Sequence, residues 1–210
     1  MVIGPSVWTK DSKGIYFTSN EGREFHSLRW MRDITDPNSV VDLTPDILWD
    51  VEDLTINADG SVVAFGCNED GASQIYLLHT ATQTRTQLAH VIPLCVVSAL
   101  LFHPTQVNIL AVGINAATTP GDVFSLDISQ LEEKGQQALV RWTFSEVGGL
   151  PGGIFVSPRL IYFDTFDKDP AAVHKGPDGT RRIPAYVYTP RKPGTAGKVC
   201  QILFLSTPFR

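Results

Sequence analysis

The sequence is short of the features that mark most functional classes at a glance. It has only three cysteines, Cys67, Cys95 and Cys200. They are odd in number and scattered, which excludes a disulfide framework and a cysteine-built metal site. Charged residues make up 19% of the 210 residues and the net charge is −5, so no basic face for nucleic acid is expected. The longest apolar run, Val91 to Phe102, is interrupted by Pro93 and is too short to cross a bilayer. The opening MVIGPSVWTK has no basic stretch followed by an apolar one, so no secretory leader is expected. These absences together imply a reduced, cytoplasmic setting away from membranes.

Catalytic signatures are missing too. No G-x-S-x-G occurs, the tight elbow on which a hydrolase serine usually sits. Ser73, in GASQI, reads as a turn or strand residue of a hairpin. The five histidines, His26, His79, His90, His103 and His174, show no H-E-x-x-H and no paired spacing; structural roles are expected for them. Asp164, Asp167 and Asp169 in DTFDKDP lack the glycine and distal glutamate of a calcium loop, and read as a solvated turn. GGLPGG, residues 148–153, has no Lys-Ser/Thr after it and opens no helix, so it reads as a linker and not as a phosphate cradle. Gly113 to Pro120 reads as a hairpin loop. No catalytic, cofactor-binding or metal-ligating residue is assigned to any position, and no cofactor is implied.

What the sequence does hold is a repeat. WTKDSKGIYFTSNEG, from Trp8, matches INADGSVVAFGCNEDG, from Ile56, at an offset of 48. Asp11 falls on Asp59, Ile15 on Val63, Phe17 on Phe65, and Asn20-Glu21 on Asn68-Glu69. A third copy, FHPTQVNILAVG, spans Phe102 to Gly113 with His103-Pro104 at its turn and a strand from Ile109 to Val112. Each copy runs on into an apolar strand (residues 25–31, 74–80 and 122–128) and closes with a shorter one (40–44, 84–89 and 138–143). Lys13-Gly14 and Asp59-Gly60 supply the left-handed residues that tight hairpins need.

Four short strands recurring at just under 50 residues are the mark of a β-propeller blade; a meandering β-sandwich with similar hairpins is the alternative. The fold expected is mainly β. It comprises an incomplete propeller of about three four-stranded blades over residues 1–150 (blades 1–45, 46–92 and 93–145), a linker over 151–158, and further strands over 159–210. Three blades fall short of the roughly 4–8 of a closed ring, and an open array leaves apolar blade faces uncovered. The chain is therefore expected to be part of something larger, or to associate with copies of itself.

The stretch from Arg141 to Asp167, RWTFSEVGGLPGGIFVSPRLIYFDTFD, and the strand GTRRIPAYVYTP from Gly179 resemble a domain junction. The resemblance is to the prolyl oligopeptidase family of serine peptidases, particularly its acylaminoacyl-peptidase and dipeptidyl-aminopeptidase-like branches. It implies a propeller capping an α/β-hydrolase domain that cleaves short or N-acylated peptides. It also implies that Leu160 to Phe166, Ile183 to Tyr188 and Val199 to Leu205 are the first strands of the hydrolase sheet. In the family the last of these runs into a His-Gly-Gly-Pro turn that helps form the oxyanion hole. Here it meets Ser206-Thr207-Pro208-Phe209-Arg210, where only Pro208 echoes that turn. The resemblance thus implies a truncated, non-catalytic chain with peptides as the family's substrates. A stand-alone WD40- or TolB-like binding scaffold is the competing expectation. A propeller enzyme with a central metal is a third, disfavoured by the scattered histidines.

Overall fold

The alternation of apolar and polar residues in each repeat folds into a four-stranded antiparallel meander. The structure, a computed structural model, describes residues 1–169, 172–189 and 202–205. It divides into two units, Met1–Ser145 and Glu146–Arg210. The first unit holds three sheets. Sheet 1 is β1 (Ile3–Trp8), β2 (Ile15–Ser19), β3 (Ser27–Met31) and β4 (Val40–Asp42). Sheet 2 is β5 (Val51–Ile56), β6 (Val62–Glu69), β7 (Ala72–His79) and β8 (Arg85–Gln87). Sheet 3 is β9 (Val96–Phe102), β10 (Ile109–Ala116), β11 (Thr119–Asp127) and β12 (Leu139–Arg141), with the short helix α1 (Leu131–Lys134) between its last two strands. Within each sheet the strands pair in chain order, every pair antiparallel.

The expectation of a mainly β chain built on a repeated four-stranded unit is met. The first strand of each sheet is the part the repeat hardly shows, since it touches them only at their ends, Trp8, Ile56 and Phe102.

The hairpin turns show the repeat at atomic detail. In sheet 1 the Ser12 N–H donates to the Thr9 carbonyl (2.9 Å), and the Gly14 N–H to the Thr9 hydroxyl (2.9 Å). Forty-eight residues on, the Gly60 N–H donates to the Asn57 carbonyl (3.0 Å), and the Val62 N–H to Asn57 Oδ1 (3.0 Å). Asp11 and Asp59 each accept a backbone N–H two residues ahead, from Lys13 (3.1 Å) and Ser61 (2.9 Å). The left-handed residue of the first turn is Ser12, with φ 58°, and not Lys13 or Gly14 as expected; it occupies the repeat position of Gly60, with φ 79°. Gly14 is needed for a different reason, since a Cβ there would lie 2.7 Å from the Met31 carbonyl oxygen.

Gly60 is doubly constrained, because a Cβ there would also lie 2.7 Å from Lys10 Cβ on the neighbouring sheet. Gly60→Ala is therefore expected to cost about 1–3 kcal/mol of stability, read as a lower urea midpoint with unchanged m-value. An unchanged midpoint would mean that the turn relaxes freely.

Two apolar layers hold the three sheets together. Between sheets 1 and 2, Tyr16 and Leu28 pack with Val63, Phe65, Cys67 and Leu78. Between sheets 2 and 3, Val62, Ala64, Ile75 and Leu77 pack with Leu110, Val112, Ile114 and Leu126. The odd residues of β6 thus face one neighbour and the even residues the other, as a period of two requires of a strand buried on both sides. Arg23 secures the crossover from sheet 1 to sheet 2. It pairs with Asp42 (2.9 Å) and donates to the carbonyls of Thr44 (3.2 Å), Pro45 (2.9 Å) and Ile47 (3.2 Å).

The hairpin loop expected over Gly113 to Pro120 is shorter than its composition suggests. β10 runs to Ala116 and β11 starts at Thr119, so Pro120 lies within a strand. A register shift between Ile114 and Ala116 at this end of the pairing makes room for a residue that cannot donate.

The second unit opens with the glycine-rich stretch of residues 148–153, which is exposed and irregular apart from one short 3-10 turn at Gly152–Ile154. It continues into β13 (Arg159–Lys168), β14 (Thr180–Tyr188) and β15 (Ile202–Leu205), an antiparallel sheet in that order. Leu160 pairs with Tyr186 and Phe163 with Ile183, as the sequence suggested, and β15 pairs with β14. Positions 199–201 and 206–210 lie outside the described residues. The turn at Pro177-Asp178-Gly179 closes on Gly179, with φ 81°.

Candidate binding cleft

The residues weighed as candidates for chemistry have other occupations. Ser73 is buried in β7; its N–H donates to the Cys95 carbonyl (2.8 Å), and its Oγ accepts the Val97 N–H (2.9 Å). It fastens sheet 2 to the start of sheet 3 and has no base beside it. His26 lies 2.9 Å from Asp50 at the same crossover that Arg23 binds. His103 Nδ1 accepts the N–H groups of Thr105 (3.2 Å) and Gln106 (3.0 Å), closing the third turn. His174 packs against Tyr162 with ring centres 4.5 Å apart. His79 and His90 are exposed.

Asp164, Asp167 and Asp169 are not a free turn. The first two lie on β13 and all three pair across the hairpin: Asp164 with Arg182 (3.0 Å), Asp167 and Asp169 with Arg181 (3.3 and 3.0 Å). The arginines that draw them into the sheet stand on the partner strand, more than ten residues away. No group of three or more His, Cys, Asp or Glu side chains converges among the described residues. Cys67 and Cys95 are free and buried. Burial pushes both thiols up, Cys95 to about 11, so neither is a thiolate near neutrality.

One concavity among the described residues lies where the turns of sheets 1 and 2 meet. It is a cleft of about 280 Å³, lined by the stacked rings of Tyr16 and Trp30, by Lys10 and Arg32, and by Gly60 and Thr80. The two rings lie 5.6 Å apart and are nearly parallel, and the Arg32 guanidinium stands 6.0 Å from the Trp30 ring centre. β1 and β2 hand Lys10 forward on their turn, and the missing side chain of Gly60 lets it lean across.

The cleft's polar groups are tied into local hydrogen bonds. The Thr9 hydroxyl bonds to Asp11 (2.7 Å) and the Thr80 hydroxyl to the Gly60 carbonyl (2.8 Å). The Thr9 hydroxyl, then the Lys13 N–H, hold the Asp11 carboxyl below its ordinary value. Burial pushes the Tyr16 hydroxyl up, so it stays neutral. With no serine, cysteine or histidine in the lining, the cleft offers two cations and the Asp11 carboxylate beside an aromatic surface. The sequence carried each of these residues in plain view, but only the packing of one turn on the next brings positions 10, 32, 60 and 80 together.

Three consecutive four-stranded antiparallel meanders, with β1, β5 and β9 lying side by side, define a mainly β, propeller-like fold. No protein-family model matches the chain, and no curated protein matches it in sequence. Solved structures do match. Prolyl oligopeptidase B from Galerina marginata, as apo protein, superposes with a TM-score of 0.59 at 14% identity, over 86% of this chain and 23% of its own. The same enzyme bound to a 25mer macrocyclization substrate matches with a TM-score of 0.59 over 89% of this chain and 23% of its own. A prolyl endopeptidase, from a study of inter-domain dynamics in two such enzymes, matches with a TM-score of 0.58 at 12% identity, over 85% and 23%. At these identities the likeness is one of fold, and the chain spans about a quarter of the length of the enzymes it matches.

Proposed function

We propose that this chain is a non-catalytic segment of a prolyl-oligopeptidase-like serine peptidase, of the acylaminoacyl-peptidase branch. It comprises late propeller blades and the opening strands of the hydrolase domain. The observation that carries this reading is the order of elements. Three meanders are followed by a long antiparallel hairpin, in a chain most of which superposes on a quarter of such an enzyme. The branch, acylaminoacyl-peptidase or dipeptidyl-aminopeptidase-like, rests on the resemblance of the motifs between Arg141 and Pro190 alone. The chain would act by shaping access to a peptide-hydrolysing site while supplying no reacting group itself. A cytoplasmic location accords with two buried, unpaired cysteines.

Among the described residues no exposed serine stands beside a histidine base, and the oxyanion turn and triad supply most of the rate in this chemistry. The 210-residue protein is therefore expected to take no label from a fluorophosphonate probe and to hydrolyse neither short nor N-acetylated peptides. Stoichiometric labelling at one serine would overturn the reading.

The cleft favours a second reading, a stand-alone binding scaffold, because cations beside stacked rings recognise a ligand without transforming it. That reading requires a cooperatively melting protein of defined mass that binds a ligand at Lys10 and Arg32. Loss of binding in the Arg32→Ala protein would support it.

A further inference from the structure

The two outermost sheet faces of the first unit repeat, residue for residue, faces that already meet inside it. On β6, Val62, Ala64 and Gly66 form a row of small side chains turned toward sheet 3, and this row receives the bulky Leu110, Val112 and Ile114 of β10. At an offset of 47, Ile109, Ala111 and Gly113 of β10 repeat that row on the opposite face of sheet 3. There the small residues form the floor of a trough. Ala111 stands beside Leu101 on one side and Ser125 on the other, followed by Val140, while Gly113 stands beside Ala99 and Val123. The walls of the trough are solvent-exposed: Leu101 by 64%, Val123 by 46%, Val140 by 50% and Trp142 by 66%.

The outer face of sheet 1 repeats the complementary surface. On sheet 2, Val63 and Phe65 are the residues that pack against sheet 1. Forty-eight positions earlier, Ile15 and Phe17 hold the same places in β2 but face away from sheet 2. They share that face with Trp8, which pairs with Ile15 and is 53% exposed, and with Met31 on β3. Arg29 and its cross-strand neighbour Asp42 bring charge to the face, but Arg29 is held by Glu21 and Ser27 and Asp42 pairs with Arg23, so both charges are already answered.

We infer that a second copy of this chain docks head to tail, its sheet 1 outer face (Trp8, Ile15, Phe17) seating in the sheet 3 trough (Leu101, Ala111, Val123, Val140) of the first. The contact continues the sheet-on-sheet stacking that sheets 1, 2 and 3 already make, and repeats the small-into-bulky packing of sheets 2 and 3. Because the two faces differ, the contact is heterologous and propagates to a closed ring or an open array. Burying these faces removes an exposed apolar patch of the kind that marks an interaction surface. The inference rests on the reading in which the chain stands alone, since further blades of a longer propeller chain would cover the same two faces.

Light scattering coupled to size-exclusion chromatography, across a wide concentration range, tests it. The wild-type protein is expected to show a concentration-dependent mass above the 23.0 kDa of one chain. Leu101→Glu spoils only the trough and Trp8→Glu only the opposing face; both sites are exposed, and each variant alone is expected to be monomeric with an unchanged melt. Mixed together, the two are expected to form a one-to-one dimer, since each keeps the face the other lacks. Val140→Lys serves as a second trough variant should Leu101→Glu fold poorly. A wild-type protein that stays monomeric at every concentration would overturn the inference. So would single variants that associate as well as wild type, or a mixture no larger than its components. Labelling by a fluorophosphonate, which decides the peptidase reading, bears on none of these outcomes.

Discussion

Phe65→Ala is expected to be the most damaging single substitution in the first unit, costing about 3–5 kcal/mol of stability. Phe65 is 0% exposed and sits in the middle of β6, paired with Leu54 on one side and Tyr76 on the other. Its ring stacks on that of Tyr76 with centres 5.1 Å apart and an angle of 8° between planes. It also lies in the layer with Tyr16 and Leu28 that joins sheets 1 and 2. Removing the ring leaves a cavity bounded by two sheets whose strands are hydrogen-bonded in register, so the walls have little freedom to close over it.

The Tyr76 side chain cannot swing in to fill the space without giving up its own bond. Its hydroxyl donates to Glu69 (2.5 Å), and burial, reinforced by Glu69, pushes that hydroxyl well above its ordinary range. Against the 5–15 kcal/mol of a typical domain, the loss is large enough to unfold much of the population under mild denaturant. Urea unfolding followed by the fluorescence of Trp30 and Trp49, which pack on the same layer, measures it. Phe65→Leu keeps most of the volume and is expected to cost about 1.5 kcal/mol or less. Equal losses for the two would mean that the layer is loosely packed.

The second large effect is electrostatic and centres on Asp122. Its side chain is fully enclosed at the start of β11, where it pairs with Arg141. It accepts the Ser145 N–H (2.8 Å) and the Thr143 hydroxyl (2.8 Å). Arg141 in turn lies over Phe144, 4.7 Å from its ring centre. One carboxylate thus organises the whole stretch from residue 141 to 145, where the chain leaves sheet 3.

Burial taken alone would raise this carboxyl. The Ser145 N–H, the Thr143 and Ser145 hydroxyls and Arg141 outweigh it, and the pKa settles at about 2, below the ordinary 3.8. A carboxyl depressed in the folded state stabilises the fold at pH values above its unfolded pKa, and that share is lost as pH falls through the folded one. Asp122 therefore contributes fully above about pH 4, and its contribution drains away toward pH 2.

Asp122→Asn is expected to lower the melting temperature at neutral pH by several degrees, on the order of 5 °C for a unit of this size. The gap between the two proteins should narrow steadily from pH 4 to pH 2. Asp11, Asp33, Asp46 and Asp59 are also depressed, so both proteins lose stability in acid. Only the difference between them reports on Asp122. A gap that stays constant through this window would show that the carboxylate charge is irrelevant and that Asp122 acts only as a spacer.

Much of this architecture could be read from the residues, and the reasons are local. The alternation in IYFTS and VVAFGCNE is a property of neighbours in the chain. So is the Asp–x–x repeat at Asp11 and Asp59, whose side chains bond to backbone two residues away. Signals of that range survive in a bare sequence, and the offset of 48 aligned them across sheets. Where reading failed, the deciding partner was remote. Ser12 adopts a conformation favoured by glycine because its position in the turn demands it, not because serine prefers it. Asp164, Asp167 and Asp169 seemed a solvated turn until Arg181 and Arg182 met them across β14. Pro120 marked a loop by composition, yet an irregular register admits it to a strand.

The candidate cleft was harder to see, since a binding surface assembled from three hairpin turns and β3 has no contiguous pattern to search for. Lys10, Arg32, Gly60 and Thr80 are unremarkable surface residues one at a time. The sequence by itself determined the repeated strand-and-turn unit and the absence of a nucleophile elbow, because period-two burial and turn chemistry act over a handful of residues. Tertiary structure decided which face of each sheet met its neighbour, where Asp122 found its donors and how Lys10 came to lean over Gly60. Those outcomes depend on groups tens of residues apart reaching a common volume, and only the packed sheets bring them there.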